Sequence, residues 1–322
     1  MTAMFSGPFA DHLQNYVEFK ASIGYSKEYI RSKARTFDLY TIKNEVSKPE
    51  LDEGLVTSFV CDSRDSGSAT RGRCEFIHVF AEYLANMGLD AYILPVEFYP
   101  QDSHSFMPHI FTEEELSAFF REVDRYEDPK EPFAPVILST CFRLTYTCGL
   151  RPAEMRSILV SDVDLQNGQI YLRKTKTKHD RIVVMSEAMT ILLEHYMMLL
   201  DSLFPNSEYL FPDTSGRKRE TSWFQKKMKE IYSLSNPQSG QQRKQSVRVY
   251  DLRHQFATTV VANWLKAGEN LENKLPYLQT YMGHINLSQT MYYVHLQPKH
   301  LLSGTKVRWA ELDSIIPEVP ND

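Results

Sequence analysis

Five polar features interrupt or end regularly patterned segments in the second half of the 322-residue chain. In chain order they are Arg151 with Glu154, Lys176, Arg253 with His254, His284 after a glycine, and Tyr293. Each of these residues, taken alone, is most often a surface or packing residue. Together, two arginines, a lysine, a histidine and a tyrosine could provide a charge clamp, a proton donor and a nucleophile. Such a set suits the transfer of a phosphoryl group.

Arg151 and Arg253 are the candidates for the charge clamp. A phosphodiester that is attacked in line passes through a transition state with excess negative charge on its non-bridging oxygens. Arginine stays charged at any working pH, and its planar fork can hold two phosphate oxygens at once. Lysine would be a poorer substitute at either position. We therefore expect the two guanidinium groups to stabilise the developing charge.

The motifs around these residues follow one another in a recognisable order. They are Gly-Leu-Arg-Pro-x-Glu at 149–154, a lysine-bearing hairpin, Asp-Leu-Arg-His at 251–254, Met-Gly-His at 282–284, and Tyr293. This series resembles the tyrosine recombinase family of phage integrases and Xer-type resolvases, over roughly residues 110–297. The resemblance implies a site-specific recombinase that breaks and rejoins DNA through a covalent 3′-phosphotyrosine intermediate, without metal, ATP or another cofactor.

The same resemblance implies a mainly α fold with a small β-hairpin or sheet. A helical, SAM-like DNA-clamping domain is expected at residues 1–106, and a mixed α/β catalytic domain at residues 107–298. A C-terminal tail, residues 299–322, follows and contains an apolar stretch at 312–319. The family exchanges such segments between protomers, and folding of the tail onto its own domain is the alternative.

The nucleophile has to be chosen from two adjacent tyrosines, Tyr292 and Tyr293. A tyrosine can form a covalent phosphoester that conserves bond energy, so the strand can be rejoined without ATP. The family pattern His-x8-Tyr selects Tyr293, and the family ending Thr-x-x-Tyr-x-His matches residues 290–295. Tyr292 is then expected to pack or to contact DNA.

The leaving 5′-oxygen needs a proton, and family resemblance assigns this general-acid role to the lysine of the hairpin. Lys176 lies five residues before Arg181, as the family lysine lies before the matching basic residue ahead of the second strand. Lys174 and Lys178 are close enough to be alternatives. The lysines that do not serve as the acid would contact phosphates.

His284 is expected to donate a hydrogen bond to the scissile phosphate. Glu154 lies three residues after Arg151, so we expect it on the same helix face, where it would orient the arginines or a histidine. The glycine before His284 allows the backbone to turn or to approach closely there. Glu154 is thus a supporting residue.

The chain departs from the family pattern at Tyr250. The family usually has a histidine three residues before the second arginine, whereas this chain has Tyr250 in the sequence VYDLRH. A neutral tyrosine can hydrogen-bond a phosphate but is a poor base at neutral pH. We expect Tyr250 to position the phosphate, and His284 and His254 to share the activation of the nucleophile.

The N-terminal segment is predicted to form a series of short helices at about 9–23, 26–43, 51–63 and 68–87. In the last of these, apolar residues recur at helical spacing from Phe76 to Leu84, and Gly88 follows as a stop. The helical spacing of apolar residues is lost in a proline-containing linker at about 95–110. The second domain therefore begins near residue 107.

The second domain opens with a capping box, in which Thr112 precedes Glu115 by three residues. A helix is predicted near 134–147, and Pro152 is placed at the first turn of the next one. A hairpin is predicted from strands at 168–174 and 181–185. Helices then dominate, and their predicted bounds are 186–203 behind Ser186, 221–232, 251–266 behind Asp251, 275–282 and 287–295.

The charge distribution favours duplex DNA as the partner, although the net charge is −5 and the isoelectric point is near 6.1. Basic residues concentrate in 171–181, with five Lys or Arg against one Asp, and in 216–248, with nine against two Glu. These stretches and the N-terminal helices would contact mainly phosphates. The predicted DNA-contacting residues are Lys174, Lys178, Arg181, Lys226, Lys227, Arg243 and Lys244.

Family resemblance further implies four protomers on two DNA sites, with other recombinases or DNA-bending proteins as further partners. The chain lacks a run of about 18 apolar residues or a secretory signal, so the expectation is a cytoplasmic, nucleoid-associated protein without membrane contact. The favoured role is integration, transposition or excision of a mobile element. Chromosome dimer resolution and DNA inversion would use the same site.

Three other interpretations compete. A catalytically inactive DNA-binding regulator would share the basic stretches, and only the completeness of the catalytic set argues against it. A type IB topoisomerase-like enzyme would share the chemistry but relax supercoils without strand exchange. A metal-dependent nuclease is disfavoured because no group of carboxylates or histidines has ligand spacing.

Overall fold

A computed structural model describes residues 5–62, 67–100, 108–173, 180–237 and 247–296 of the chain. The chain divides into two compact units, residues 1–106 and 107–322. The described residues confirm the predicted fold class, since both units are dominated by helices and strands occur only in one small sheet. None of the described helices is long and apolar enough to cross a membrane.

The N-terminal unit packs its helices around an aromatic core. Phe9, Phe37 and Phe80 are buried, and their ring centroids lie 5.2 to 6.3 Å apart. Ser26 and Asp52 cap two of the helices, because their side chains accept hydrogen bonds from backbone N–H groups in the first turn. The helices are α1 (Ala10–Ser22), α2 (Lys27–Lys43), α3 (Glu53–Val60) and α4 (Gly67–Asn86).

The first half of the larger unit consists of helices followed by the sheet. Its elements are α5 (Glu113–Arg125), α6 (Ala134–Cys148), α7 (Pro152–Met155), β1 (Val163–Asp164), β2 (Gln169–Leu172) and β3 (Arg181–Val184). The predicted capping box of Thr112 and Glu115 is present at the start of α5. The antiparallel sheet has the order β1-β2-β3, and Leu172 pairs with Arg181 at the end nearest the hairpin turn.

The second half of the larger unit is helical and is organised around one long helix. Its elements are α8 (Glu187–Leu203), α9 (Thr221–Ser235), α10 (Val249–Lys266), α11 (Leu271–Met282) and α12 (Ser288–His295). Helix α10 packs against α6, α9, α11 and α12. Leu252 belongs to the main core of the unit, whereas Ala257 belongs to a smaller core formed with α11 and α12. Arg253 therefore lies on α10 at the boundary between the two cores.

Two helix starts and one strand are among the differences from the sequence prediction. Helix α10 begins at Val249, and Asp251 lies inside its first turn, where its carboxylate accepts from the backbone N–H of Arg248. Helix α11 begins at Leu271 rather than 275, because the Asn270 side chain caps it. Strand β1 was not predicted, since its two residues are too few to show a periodic pattern.

Candidate active site

Arg151 follows a sharp helix end that only glycine fits. Helix α6 ends at Gly149, whose φ of 62° is in the left-handed region. A Cβ atom there would lie 2.5 Å from Cδ1 of Phe256, so a larger residue would clash with α10. Arg151 then occupies the N-cap position of α7, and Pro152 begins that short helix. The turn thereby places the Arg151 side chain beside the first residues of α10 and the end of α11.

Arg151 is held by a carboxylate and a backbone carbonyl. Its Nη1 donates to Oε1 of Glu154 at 2.7 Å, and its Nη2 donates to the carbonyl oxygen of Gly283 at 2.6 Å. The Arg151 backbone N–H also donates to Oε2 of Glu154 at 2.9 Å. Gly283 has a φ of 63° at the end of α11, which turns its carbonyl toward the arginine. The guanidinium group of Arg151 thus links α7 to the end of α11.

Glu154 is the central acceptor of the site. Besides Arg151, it accepts from Nη1 and Nη2 of Arg181 at 2.7 and 2.8 Å. Its side chain is 5% exposed. Burial alone would raise the pKa of Glu154, but the bonds and charges of Arg181 and Arg151 outweigh burial and lower the pKa to about 2. Glu154 is therefore ionised at any working pH.

Arg181, one of the predicted DNA contacts, is an internal residue of the site. Its side chain is 10% exposed, and its Nε donates to the carbonyl oxygen of Tyr281 at 2.9 Å. Each of its three nitrogens thus donates to an acceptor inside the unit. Arg181 thus positions Glu154 and connects β3 with α7 and α11.

Arg253 is the largest of the fully buried side chains, with 0% exposure. Its Nη1 donates to the carbonyl oxygen of Gly149 at 2.7 Å, and its Nη2 donates to that of Met282 at 2.6 Å. Its Nη1 also lies 3.8 Å from Oε2 of Glu154. We call Arg151, Glu154, Arg181 and Arg253 the guanidinium cluster. Its cationic groups are fixed before any phosphate arrives.

His284 links the guanidinium cluster to α12. Its Nε2 lies 3.1 Å from Nη2 of Arg253, and its Nδ1 lies 2.8 Å from Oγ1 of Thr290. A guanidinium group only donates, so Nε2 accepts and the ring proton is assigned to Nδ1. Burial and the charges of Arg253 and Arg151 lower the pKa of His284 to about 3. His284 is therefore neutral, and both of its nitrogens are engaged.

Tyr293 lies in α12 beneath the surface, with 2% exposure. Its ring stacks on His284 at a centroid distance of 6.1 Å and lies 5.7 Å from the ring of His254. Burial raises the pKa of Tyr293 to about 12, although Arg253 acts in the opposite direction. Tyr292 is half-buried, and its ring is 5.8 Å from that of Tyr293. The candidate nucleophile is thus protonated and covered.

Tyr250 and His254 face these tyrosines from α10. Their ring centroids lie 4.9 Å apart, and the Tyr250 ring is 6.0 Å from the guanidinium carbon of Arg253. His254 also lies 6.3 Å from the ring of Tyr292. Its Nδ1 is buried and has no hydrogen-bond partner among the described residues. We call Tyr250, His254, Tyr292 and Tyr293 the aromatic cluster.

The predicted DNA-contacting lysines of α9 fall into two classes. Lys226 is exposed. Lys227 is 12% exposed, and its Nζ lies 2.6 Å from Oδ2 of Asp128 and 2.6 Å from the hydroxyl of Tyr126. Burial alone would lower the pKa of Lys227, but the bonds with Asp128 and Tyr126 raise it above the ordinary value. The charge of Lys227, one of the predicted DNA contacts, is therefore paired with Asp128 within the unit.

Several predicted residues lie outside the described part of the chain. They are Lys174, Lys176, Lys178, Arg243 and Lys244, together with the tail at 299–322. Among the residues that the structure describes, no group of three or more His, Cys, Asp or Glu side chains could hold a metal ion.

Thr290 and the helix-end carbonyls have roles in the site that the sequence patterns did not indicate. Thr290 is buried and accepts from Nδ1 of His284, so it fixes the ring orientation. A signal was present, since Thr290 lies three residues before Tyr293 in the motif used to select the tyrosine. The carbonyls of Gly149 and Met282 carry no sequence signal as acceptors, because every residue has a carbonyl group.

Comparison with known proteins identifies relatives over most of the chain. The sequence model of the phage integrase family matches residues 110–300. Tyrosine recombinase XerA of Pyrococcus horikoshii is 26% identical over 292 residues, which are 91% of this chain and 91% of that protein. A Sinorhizobium fredii protein described as an integrase/recombinase is 27% identical over 296 residues, or 91% of this chain and 93% of that protein.

Solved structures share the fold at low sequence identity. The Tn1549 transposon integrase in complex with transposon right end DNA has a TM-score of 0.66 and 13% identity, and the match covers 94% of this chain and 99% of that one. The XerH site-specific recombinase bound to its difH substrate, in the post-cleavage complex, has a TM-score of 0.61 and 21% identity. That match covers 84% of this chain and 76% of XerH.

Proposed function

The chain belongs to the phage integrase family, the tyrosine recombinases, and from this premise we propose a specific chemistry for it. Tyr293 attacks a DNA phosphodiester and forms a covalent 3′-phosphotyrosine intermediate, which a second strand then resolves. The observation that carries this proposal is the convergence of Arg151, Arg253 and His284 on one hydrogen-bonded network beside the Tyr293 ring.

The guanidinium cluster supplies the electrostatic part of the reaction. Negative charge grows on the non-bridging oxygens during in-line attack, and preorganised cations stabilise it without reorganising. Arg151 and Arg253 are preorganised by their bonds to Glu154 and to the carbonyls of Gly149 and Gly283. The incoming phosphate competes for the same donors, so the carbonyl bonds are the ones expected to lengthen.

The tyrosine chemistry explains how strands are rejoined without an external energy source. The phosphotyrosine bond conserves the energy of the phosphodiester, and the 5′-hydroxyl of a new strand attacks it in the second step. Lys176 is the proposed general acid for the leaving 5′-oxygen, with Lys174 and Lys178 as alternatives. His284 is the proposed donor to the phosphate, which requires its Nε2 to release Arg253 and its ring proton to move from Nδ1 to Nε2, with the Thr290 hydroxyl then donating to Nδ1.

The buried position of Tyr293 implies that the described state is not the cleaving state. Tyr293 is 2% exposed, so the surrounding side chains limit the approach of a phosphate to it in this state. Helix α12 is eight residues long and is held by packing of the smaller core. We therefore propose that α12 shifts when DNA binds, and that this shift brings Tyr293 to the phosphate between the two arginines.

The proposed partner is duplex DNA carrying specific recombination sites. Lys226 remains a candidate phosphate contact, together with the basic residues of 171–181 and 216–248 that are not engaged internally. The proposal also includes four protomers on two sites and exchange of the tail between protomers. The N-terminal unit is proposed to be part of the DNA clamp. The favoured biological role is integration, transposition or excision of a mobile element.

Covalent trapping tests the proposal directly. Wild type, Tyr293→Phe and Tyr292→Phe are incubated with nicked suicide duplexes in EDTA, starting with DNA fragments that flank the gene. The expected result is a denaturation-resistant adduct with wild type and Tyr292→Phe, and none with Tyr293→Phe. An adduct that survives in Tyr293→Phe would overturn the nucleophile assignment. Tight binding without any adduct would favour a catalytically inactive DNA-binding regulator.

The two lysines of α9 provide a matched pair for the DNA surface. Lys226→Ala is expected to weaken DNA binding uniformly across sequences and to reduce the salt slope by about one phosphate contact. Lys227→Ala is expected to leave that slope unchanged and to destabilise the unit, because Asp128 loses its partner. Equal slopes for both variants would remove Lys226 from the DNA surface.

A further inference from the structure

We propose that His254 accepts the proton that Tyr293 loses as it attacks the phosphodiester. This inference rests on the proposed function, since it names the proton acceptor for that same step. The sequence alone divided nucleophile activation between His284 and His254. The contacts of the two histidines now separate their roles.

His284 is unsuited to accept the proton because neither of its nitrogens has room for it. Arg253 donates to Nε2, and Nδ1 donates to Thr290. A proton on Nε2 would face the guanidinium donor directly, which is a repulsive arrangement unless Arg253 moves away. A phosphate that draws Arg253 away would itself accept from Nε2 once the ring proton has moved there from Nδ1, and Nδ1 would then accept from the Thr290 hydroxyl. His284 is therefore a phosphate ligand rather than the acceptor for the tyrosine.

Tyr250 is also unsuited, although it occupies the position where the family usually has a histidine. A neutral phenol donates a proton far more readily than it accepts one at neutral pH. Tyr250 lies one helical turn before His254 on α10, and the two rings are in contact at 4.9 Å. An imidazole is thus available one turn further along the same helix.

His254 has both the position and the vacant nitrogen that the step requires. Its ring lies 5.7 Å from the ring of Tyr293, in a tilted arrangement. Its Nδ1 is buried and has no hydrogen-bond partner among the described residues. Leaving a buried polar atom unsatisfied costs about 1–3 kcal/mol, so such atoms are uncommon in folded proteins and concentrate where function needs them. The ring that carries this nitrogen lies beside the ring of Tyr293, whose hydroxyl must lose a proton in the attack.

The surrounding charges keep His254 neutral before the reaction. The groups that face it are Arg248, Arg253 and Tyr250 from α10, Tyr292 and Tyr293 from α12, and His284. Burial, followed by the charges of Arg248 and Arg253, lowers the pKa of His254 to about 4. A bound phosphate would offset the arginine charges and raise that pKa. The imidazole is thus unprotonated when Tyr293 approaches.

The step balances without an additional reactant. The Oη atom of Tyr293 forms a bond to phosphorus, and the bond from phosphorus to the 5′-oxygen breaks. The phenolic proton passes to the imidazole of His254, and the 5′-oxygen takes a proton from the hairpin lysine proposed as the acid. In the rejoining step His254 returns its proton to the leaving Tyr293 oxygen, and the lysine recovers the proton of the attacking 5′-hydroxyl.

The test uses the full chain in single-turnover cleavage of two nicked duplexes. One carries the natural 5′-oxygen at the scissile phosphate, and the other carries a bridging 5′-sulfur, which leaves without a proton. We expect His254→Gln to lower the cleavage rate about 100-fold on both duplexes, as the loss of a general base does. Lys176→Ala is expected to cleave the oxygen substrate slowly and the sulfur substrate at close to the wild-type rate.

A pH profile separates proton acceptance from structural support. With His254 present, the rate should be nearly independent of pH from about 7 to about 9. Without it, Tyr293 must ionise first, so the rate should rise about tenfold per pH unit and the defect should shrink as pH rises. A structural defect would lower the rate equally at every pH. His195→Gln, an exposed site on α8, is the matched control.

The outcomes distinguish this inference from the proposed function. If wild type forms no adduct, the proposed function fails. If wild type forms an adduct that requires Tyr293, and His254→Gln cleaves at the wild-type rate or with a pH-independent defect, the inference fails while the function stands. His254→Asn repeats the measurement with a smaller side chain in case the glutamine does not pack, and DNA affinity is measured for both variants.

Discussion

The guanidinium cluster and the aromatic cluster adjoin each other but are held together by different forces. In the guanidinium cluster, Glu154 accepts from the backbone and side chain of Arg151 and from both terminal nitrogens of Arg181. Arg253 is fixed by two backbone carbonyls. In the aromatic cluster, ring contacts of 4.9 to 6.3 Å predominate.

This difference matches the roles that we propose for the two clusters. Cations that stabilise a transition state act best when they are already in position, because reorganising them during the reaction would cost free energy. A nucleophile has to approach phosphorus, stay bound to it and then leave, so α12 cannot be fixed by many directional bonds. A rigid charge clamp beside a loosely held nucleophile is therefore the expected design for a reaction that runs in both directions.

The largest expected effect comes from breaking the clamp at Arg253. In Arg253→Lys, one ammonium group cannot reach the carbonyls of Gly149 and Met282 together, and it cannot hold two phosphate oxygens. We expect single-turnover cleavage at saturating DNA to fall about 1000-fold, the upper range for losing a preorganised donor. Lys266→Arg, exposed at the end of α10, is the control and should be neutral. A fall below tenfold would mean that Arg253 is not part of the clamp.

Removing the charge of Glu154 tests whether the clamp depends on its central acceptor. Glu154→Gln leaves Arg151 and Arg181 without a counter-charge in a buried site, and we expect a loss of about 3 kcal/mol in the free energy of unfolding. Tryptophan fluorescence in urea reports on this unit, since Trp223 and Trp264 belong to it and residues 1–106 contain no tryptophan. Glu194→Gln, exposed on α8, is the control.

The same substitution has a defined pH signature. The pKa of Glu154 is lowered to about 2 in the folded state from an ordinary value of 4.5. Its contribution to stability is therefore complete above about pH 4.5 and is lost as pH falls toward 2. The difference in stability between wild type and Glu154→Gln should shrink over that window. A difference that stays constant with pH would contradict the ion-pair account.

A smaller effect is expected where the two clusters are joined. Thr290→Val keeps the volume of the side chain but removes the acceptor for Nδ1 of His284. The loss of one buried hydrogen bond is worth about 1.4 kcal/mol, so cleavage should fall about tenfold. Thr290→Ser should retain most of the rate, because it restores the hydroxyl. Equal rates for the valine and serine variants would show that the orientation of His284 does not depend on this bond.

The sequence predicted those features that local patterns encode. Gly149 and Pro152 mark a helix end and a helix start, and the capping box of Thr112 and Glu115 is formed. The mainly helical fold with one small sheet followed from periodicity and family resemblance. Local hydrogen-bonding preferences suffice for such features, because the partners are within a few residues of each other.

Partners that are distant along the chain could not be predicted. Arg181 and Lys227 were assigned to DNA because a basic residue in a basic stretch is usually exposed. Arg181 instead binds Glu154, 27 positions away, and Lys227 binds Asp128, 99 positions away. The tautomer of His284 and the vacant nitrogen of His254 likewise depend on packing among α10, the end of α11 and α12. Sequence patterns carry the type of a side chain but not its distant partner.

The smallest expected effect lies within the aromatic cluster, at the hydroxyl of Tyr250. Tyr250→Phe keeps the ring contact with His254 and the ring facing Arg253. It removes only the uncharged hydrogen bond that we propose its hydroxyl makes to the phosphate. Such a bond is worth about 0.5–1.5 kcal/mol, which corresponds to a two- to tenfold fall in the cleavage rate. The measurement is single-turnover cleavage of the oxygen substrate, with His195→Gln, exposed on α8, as the control that should be neutral.

Tyr250→His sharpens the same comparison. It places an imidazole where the family usually has one. A strong rise in the cleavage rate would therefore mean that Tyr250 occupies the position of a base but performs that role only in part. In the His254→Gln background the new imidazole should then recover part of the lost rate. No change in either background would mean that Tyr250 merely packs, and a fall above 100-fold in Tyr250→Phe would place its hydroxyl among the reacting groups. The aromatic cluster would then contain a second essential proton-transfer group beside His254.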